Sequence, residues 1–425
     1  MDYLEQSMAH PQFKEQLVTI LAFFSPLTII QFGGYSIFFI LLMVTCVALV
    51  ISKENIFLID RLFFIIVLIL LFTTILSYTN SIGSDWEKRA LKGWITIAMI
   101  CFIYFLISGS KNTVSYLSCF RRGLVWAINF NLFWSILQIL LFQIFNIELN
   151  TLIFVNTLHM IDIESMYRGG TMVATGLHWH PGNLAPLLVL GFVMNRRLWY
   201  RFLIVIVALF SYNSTCILGV SLCIVLEVIF SILNNKNKRK RKNFSVGKMF
   251  SILLGLSLII ALLVIVNKFD FYDRFSVVIS NFINKASFSG TDNSSAVHLR
   301  YYQLLPQILA HTPLIKLIFG FGYGCSGYLY TLTIGQYAEL STWAVESDFV
   351  NNVLGLGFIN TVLFYLWYLS VGIKGIRINY KYFIVILTIF VQGFSYNVQF
   401  DWVILTVCML ALSVKQHRDF FSEDK

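Results

Sequence analysis

The sequence predicts an all-α polytopic integral membrane protein of about twelve transmembrane helices, and three observations predict it. The first is composition. Of 425 residues, 58% are hydrophobic and only 12% charged, about half the charge of a soluble chain, and mean hydropathy is +0.76. The second is the recurrence of apolar runs near the length of a spanning helix, which needs about 20 residues at ~1.5 Å rise each. The third is the segregation of the basic residues between alternate loops.

The apolar runs fall at about 17–32, 35–51, 62–78, 93–109, 123–145, 183–194, 202–212, 214–233, 249–267, 349–372, 383–397 and 402–414. Those at 183–194 and 202–212 are short, so they need their flanks or must tilt or break. With the N-terminus inside, the inner loops and tails hold 22 of the 31 basic residues, the bias expected of cytoplasmic segments. Every basic residue then falls in a loop or tail. Both termini are expected in the cytoplasm, and the two long polar segments 146–182 and 268–348 on the outer face.

The net charge of +10 follows from the same anchors. The cluster at 236–242 (KNKRKRK) lies between two spans and suits anionic lipid better than nucleic acid. The first apolar run follows a polar start and lacks a small-residue cleavage site, so it is expected to stay as a span. Cys46, Cys101, Cys216, Cys223 and Cys408 lie in spans, Cys119 inside and Cys325 outside, which leaves no disulfide framework. Glu227, near the inner end of its span, is expected to snorkel. A single membrane domain over 1–425, capped by its outer loops, is the expected organisation.

Chemistry is expected in those outer loops. The first carries YRGGTMVATGLHWHPGNLAP, in which Gly and Pro mark turns and Arg168, His178 and His180 project beside the start of a span. The second carries HLRYYQLLPQILAHTPLIKLIFGFGYG, residues 298–324. There Arg300 opens an amphipathic stretch, with Tyr301, Leu304, Leu305 and Ile308 at helical spacing, and a Gly-rich turn follows. That loop closes on WAVESDFVNNVLGLGF, residues 343–358.

Two arginines from separate loops suit an anion with several oxygens, because the guanidinium fork matches phosphate. Pairing with Asp162, Glu164 or lipid headgroups is the plainer use of the same side chains. The His178–Trp179–His180 triplet reads as turn structure, as proton transfer or substrate hydrogen bonding, or as a metal pair needing further ligands. Asp348 suits helix capping, whereas Glu346, two residues earlier, is freer to act on substrate. The GFGYGCSG turn offers backbone N–H groups to a phosphate, and Tyr323, Tyr328 and Tyr330 offer rings to a sugar.

These segments resemble the O-antigen polymerase and ligase superfamily. GLHWHPGNLA is similar to the segment that opens a central span there, and Arg300 with its amphipathic helix and Gly-x-Gly turn is similar to a second element. ESDFVNNVLGLGFINTVLFY is similar to the loop exit that begins the next helix. The resemblance covers about 165–370 and implies a fold like that of C-type glycosyltransferases. Where ligases carry a histidine at the last motif this chain has Glu346-Ser347-Asp348, which favours a Wzy-type polymerase.

The resemblance implies a metal-independent glycosyltransferase without cofactor in the bacterial inner membrane, its site facing the periplasm. It would move a growing glycan from undecaprenyl pyrophosphate to the non-reducing sugar of a new undecaprenyl-pyrophosphate-linked repeat unit. Arg300 and Arg168, with Tyr323, would hold the pyrophosphate. Glu346 is the first candidate for the base and His180 the second, with His178, Asn183 and Asp348 as further substrate contacts. Partners would be the lipid-linked oligosaccharides, membrane lipids, a chain-length regulator and the pathway's flippase. The alternatives are an O-antigen ligase with a lipid A-core acceptor, and a polyprenyl-linked oligosaccharide flippase or other transporter.

Overall fold

The computed structural model describes residues 13–32, 35–51, 61–79, 84–160, 167–168, 171–237, 293–322, 345–398 and 401–422. They form a helical bundle. In chain order its helices are α1 (Phe13–Phe24), α2 (Ile37–Ile51), α3 (Arg61–Thr79), α4 (Ser84–Gly109), α5 (Thr113–Phe145), α6 (Pro181–Met194), α7 (Leu198–Phe210) and α8 (Ser214–Asn237). They continue with α9 (Asn293–Ala310), the short α10 (Leu314–Phe319), α11 (Asp348–Gly375), α12 (Lys381–Ser395) and α13 (Asp401–Lys415). Two antiparallel hairpins of two-residue strands join them, β1 (Gln31–Phe32) with β2 (Tyr35–Ser36) and β3 (Tyr167–Arg168) with β4 (Thr171–Met172).

Among the described residues, four segments are long and apolar enough to cross a membrane: Leu91–Gly109, Thr113–Phe145, Ser214–Ser231 and Asp348–Gly375. Shorter apolar helices pack among them. Large apolar side chains such as Phe133 and Leu366 face outward while Leu42, Phe120, Leu190 and Leu405 fill the core, the inverse of a water-facing surface. The chain is a helical membrane protein. The expected span at 249–267 lies outside the described residues.

Most helix bounds follow the apolar runs, but α1, α4 and α5 depart from them, α4 starting at Ser84, nine residues before its run. α1 stops at Phe24 rather than continuing to residue 32, because Pro26 pushes its predecessor out of helical geometry. Residues 25–30 form turns ahead of the first hairpin. α5 starts ten residues before its apolar run, so Arg121 and Arg122 lie within a helix, not a loop. A helix end that satisfies its own backbone can carry arginines whose stems lie along apolar surface. Glu227 is paired with Arg201, which holds its carboxylate through two bonds of 2.7 and 2.8 Å.

The helix ends sort into two poles. At one, Arg121 Nε donates to the Phe420 carbonyl at 2.8 Å and Asn379 donates to Asp419 at 2.9 Å. There the C-terminal carbonyls of α6, which no helical N–H can reach, take cationic donors. Arg201 Nε reaches Phe192 O and Asn195 O, and the buried Lys381 ammonium reaches Val193 O. At the other pole the N-termini of α6, α8, α11 and α13 meet. Thr215 contacts Ser395 at 3.1 Å and the Val398 N–H donates to Asp348 at 2.8 Å.

Candidate functional site

The second pole is built on non-helical backbone held inside an apolar bundle, which is stable only where side chains satisfy its polar groups. Residues 173–180 are such a segment, and α5 supplies the partners. Asn131 Oδ1 accepts from Leu177 N–H at 3.0 Å and Gln138 Oε1 from Gly176 N–H at 2.9 Å. Asn150 donates to the Gly176 carbonyl at 2.9 Å and is itself held by Trp134 Nε1 at 2.8 Å. Gly176 has φ +61, and a Cβ there would stand 3.0 Å from both Asn131 Oδ1 and Ser135 Oγ.

This scaffold delivers the two histidines to different surroundings. His178 is 1% exposed, with Nδ1 3.4 Å from Thr28 Oγ1. Burial pushes its pKa down to about 3, so the ring is neutral. His180 instead caps α6: its Nδ1 accepts from Gly182 N–H at 3.0 Å, and its ring stacks on Tyr396 at 4.6 Å and 11°. Among the described residues no group of three or more His, Cys, Asp or Glu converges as a metal site would require.

Asn183, in the first turn of α6, lines a cavity of about 170 Å³ with Ser25, Thr28, Ser36, Phe38, Asp401 and Trp402. That is room for several waters at ~30 Å³ each. The Asn183 Oδ1 and His178 Nε2 atoms are buried with no hydrogen-bond partner among the described residues. Asp401 stands ahead of the apolar run of α13. Burial pushes its carboxyl up to about 6, with the Lys92 charge pulling the other way.

The α11 start lies at the same pole. Ser347, not Asp348, is the N-cap, its Oγ accepting from Val350 N–H at 3.4 Å. Asp348 is buried in the first turn, where it accepts the Val398 N–H. Glu346 is half-buried directly before the cap. Asn351 and Asn397 both donate to Val345 O, at 2.7 and 2.6 Å, tying this turn to the α12–α13 connection. Tyr302 of α9 bonds Ser347 Oγ at 2.9 Å, while Tyr301, Leu304, Leu305 and Ile308 bury against Val350, Val353 and Leu354.

Arg300 therefore stands on a helix packed against the α11 start, one residue before Tyr301. Arg168 lies on the β3–β4 hairpin that leads into Val173 and Ala174, whose N–H is bound by Phe210 O at 3.0 Å. The side chains of both arginines, and the whole of Tyr323, lie outside the described residues.

Of the Gly-rich turn expected to cradle a phosphate, residues 323–327 lie outside the described residues, and the first three amides have backbone partners. Gly320 N–H donates to Lys316 O, Phe321 N–H to Leu354 O at 2.9 Å and Gly322 N–H to Gly355 O at 2.9 Å. The Gly320 amide closes α10, and the Phe321 and Gly322 amides are committed to α11, which breaks at Gly357 with φ 75 and ψ 169. A Cβ on Gly320 would lie 2.4 Å from Gly355 O, and one on Gly357 would lie 2.3 Å from Gly320 N. Two backbones meet where only glycine fits.

Two features escaped sequence reasoning. Asn131, Ser135 and Gln138 share one face of α5 at helical spacing, a polar stripe inside a span that marks a functional position. Asp401 precedes an apolar run without any surrounding motif, and its closeness to Asn183 comes from chain-distant packing. No protein-family model matches the chain, and no curated protein matches it either.

Proposed function

We propose that the protein is a metal-independent glycosyltransferase of the O-antigen polymerase kind, extending a glycan between two polyprenyl-pyrophosphate-linked saccharides. The observation that carries this is the meeting of the α6, α11 and α13 N-termini at one pole, around His180, Asn183, Glu346, Asp348 and Asp401. Helix N-termini favour anions, and a departing pyrophosphate is an anion whose charge grows in the transition state. Twelve spans, cytoplasmic termini and a periplasmic site are part of the same proposal.

In the reaction an acceptor hydroxyl oxygen attacks the anomeric carbon of the donor. The bond from that carbon to the pyrophosphate oxygen breaks, and its electron pair leaves with undecaprenyl pyrophosphate. Arg300 and Arg168 neutralise the leaving group. The hydroxyl proton passes to a carboxylate within hydrogen-bond reach.

His180 suits a donor's role better than the base's. Its Nδ1 accepts from Gly182 N–H, so the neutral ring carries its proton on Nε2. Asp401 joins Glu346 as a carboxylate at this pole. Its raised pKa and its place beside Asn183 in the cavity make it the better-placed base, and Glu346 is left to bind acceptor hydroxyls.

The test is the saccharide gel of a strain lacking the gene. Core carrying one repeat unit supports the polymerase. Bare core points to a ligase, and loss of lipid-linked units from the outer leaflet points to a flippase. In complemented cells Arg300→Ala removes long polymer while the protein still inserts, and normal chain length would refute that role.

A further inference from the structure

The basic pole holds a cavity that the glycosyl-transfer reading does not use. It measures about 500 Å³ and is lined by Arg121, Arg122, Trp126 and Asn129 of α5, Asn195 after α6, and Tyr200 of α7, above apolar residues. Arg121 is anchored through Nε to the Phe420 carbonyl at 2.8 Å, which fixes its guanidinium at the wall. Tyr200 Oη donates to Asn129 Oδ1 at 2.7 Å. No carboxylate is among the lining residues.

The cavity opens sideways onto the outer face of the bundle. Arg122, Trp126, Asn129, Phe130 and Phe133 are all exposed and share one face of α5. Along the helix that face changes from cationic to aromatic and then to apolar. Trp199, 58% exposed, flanks Tyr200 on α7. Such a gradient matches a lipid standing in a bilayer: phosphate at the arginines, glycerol and carbonyls at the tryptophan level, acyl chain along the phenylalanines.

We propose that this cavity binds the phosphodiester headgroup of an anionic glycerophospholipid, Arg121 and Arg122 contacting the phosphate and the Trp126–Phe130–Phe133 stripe the acyl chain. Two guanidinium forks on successive residues supply charge and donors, and the amide N–H groups of Asn129 and Asn195 suit headgroup oxygens. The site lies at the opposite pole from the proposed chemistry and stands independently of it.

The experiment is native mass spectrometry of the purified full chain, released from detergent with phosphatidylglycerol or phosphatidylcholine. Wild-type protein retains phosphatidylglycerol in preference. Arg122→Gln, at an exposed position, lowers that retention about fivefold, and Arg121→Gln/Arg122→Gln roughly thirtyfold, since each surface cation contributes about one such factor. Lys374→Gln/Arg377→Gln, at the same pole but outside the cavity, leaves retention unchanged.

Three results would overturn the proposal. They are equal retention of the two lipids, an equal loss in the Lys374/Arg377 control, and displacement of phosphatidylglycerol by inorganic phosphate at millimolar concentration. The last would identify a free-phosphate site.

Discussion

At Gly176 the backbone is left-handed, its N–H bound by Gln138 of α5 and its C=O by Asn150, five residues beyond the end of that helix. An alanine there costs about 1–2 kcal/mol from the left-handed conformation alone, and its Cβ presses on Asn131 and Ser135. The melting temperature of Gly176→Ala in detergent should fall accordingly, and an unchanged value would contradict the description of this segment. His178 makes a second prediction. Its pKa is about 3 in the folded chain against ~6.5 when unfolded, so the unfolded state takes the proton first. Its contribution is complete above pH ~6.5 and is lost as pH falls toward 3. Melting scans at pH 7 and pH 5 should show a larger acid loss for wild type than for His178→Asn. Asp401 carries the third. As a base with its carboxyl near 6, it should give a rate that rises with pH through that value, and Asp401→Asn should cut the rate at least ~100-fold. A larger loss in Glu346→Gln than in Asp401→Asn would reverse the two roles.

At the scale of elements, the break in α11 is the most demanding local feature. Gly357 holds a conformation open essentially to glycine alone, which costs any other residue of order 1–3 kcal/mol. The α10 turn is bonded into the same gap. Gly357→Ala should therefore destabilise the protein by more than about 2 kcal/mol and loosen residues 314–322, read as faster hydrogen exchange of Phe321 and Gly322. Protection unchanged from wild type would mean the docking is not held by these bonds. The apolar periodicity of α9 and the run that becomes α11 were legible in the chain, because both follow from side-chain pattern. The break was not: GFGYG and GLGF each look like ordinary glycine turns, and their complementarity appears only once the backbones touch. Asn131 and Gln138 were legible in principle, as polar residues in an apolar run, but their purpose depends on a partner segment some 40 residues onward (Gly176 and Leu177).

For the whole molecule, charge and the polarity of α6 agree. The pole where Arg121, Arg201 and Lys381 gather receives the C-terminus of α6, and Arg201 and Lys381 stand at its negative dipole end. The opposite pole collects N-termini and carries His180, Asn183, Glu346, Asp348 and Asp401. The basic-residue pattern in the sequence anticipated that division, since it reflects membrane insertion rather than packing. It could not anticipate which residues of distant loops share a cavity; Asp401 reaches Asn183 only through the packing of α13 on the bundle. The Arg201–Glu227 pair joins two helices at the basic pole, half-shielded from solvent. Glu227→Gln should cost about 1–3 kcal/mol, measured by thermal unfolding, while leaving glycan transfer intact because it lies at the far pole. The glycosyltransferase proposal meets its sharpest test when the purified chain is reconstituted in liposomes with a polyprenyl-pyrophosphate-linked repeat unit and the products are resolved by length. A ladder of polymers is expected that persists in a metal chelator and disappears in Arg300→Ala. Repeat units that stay unjoined, or a ladder undiminished by that substitution, would contradict it.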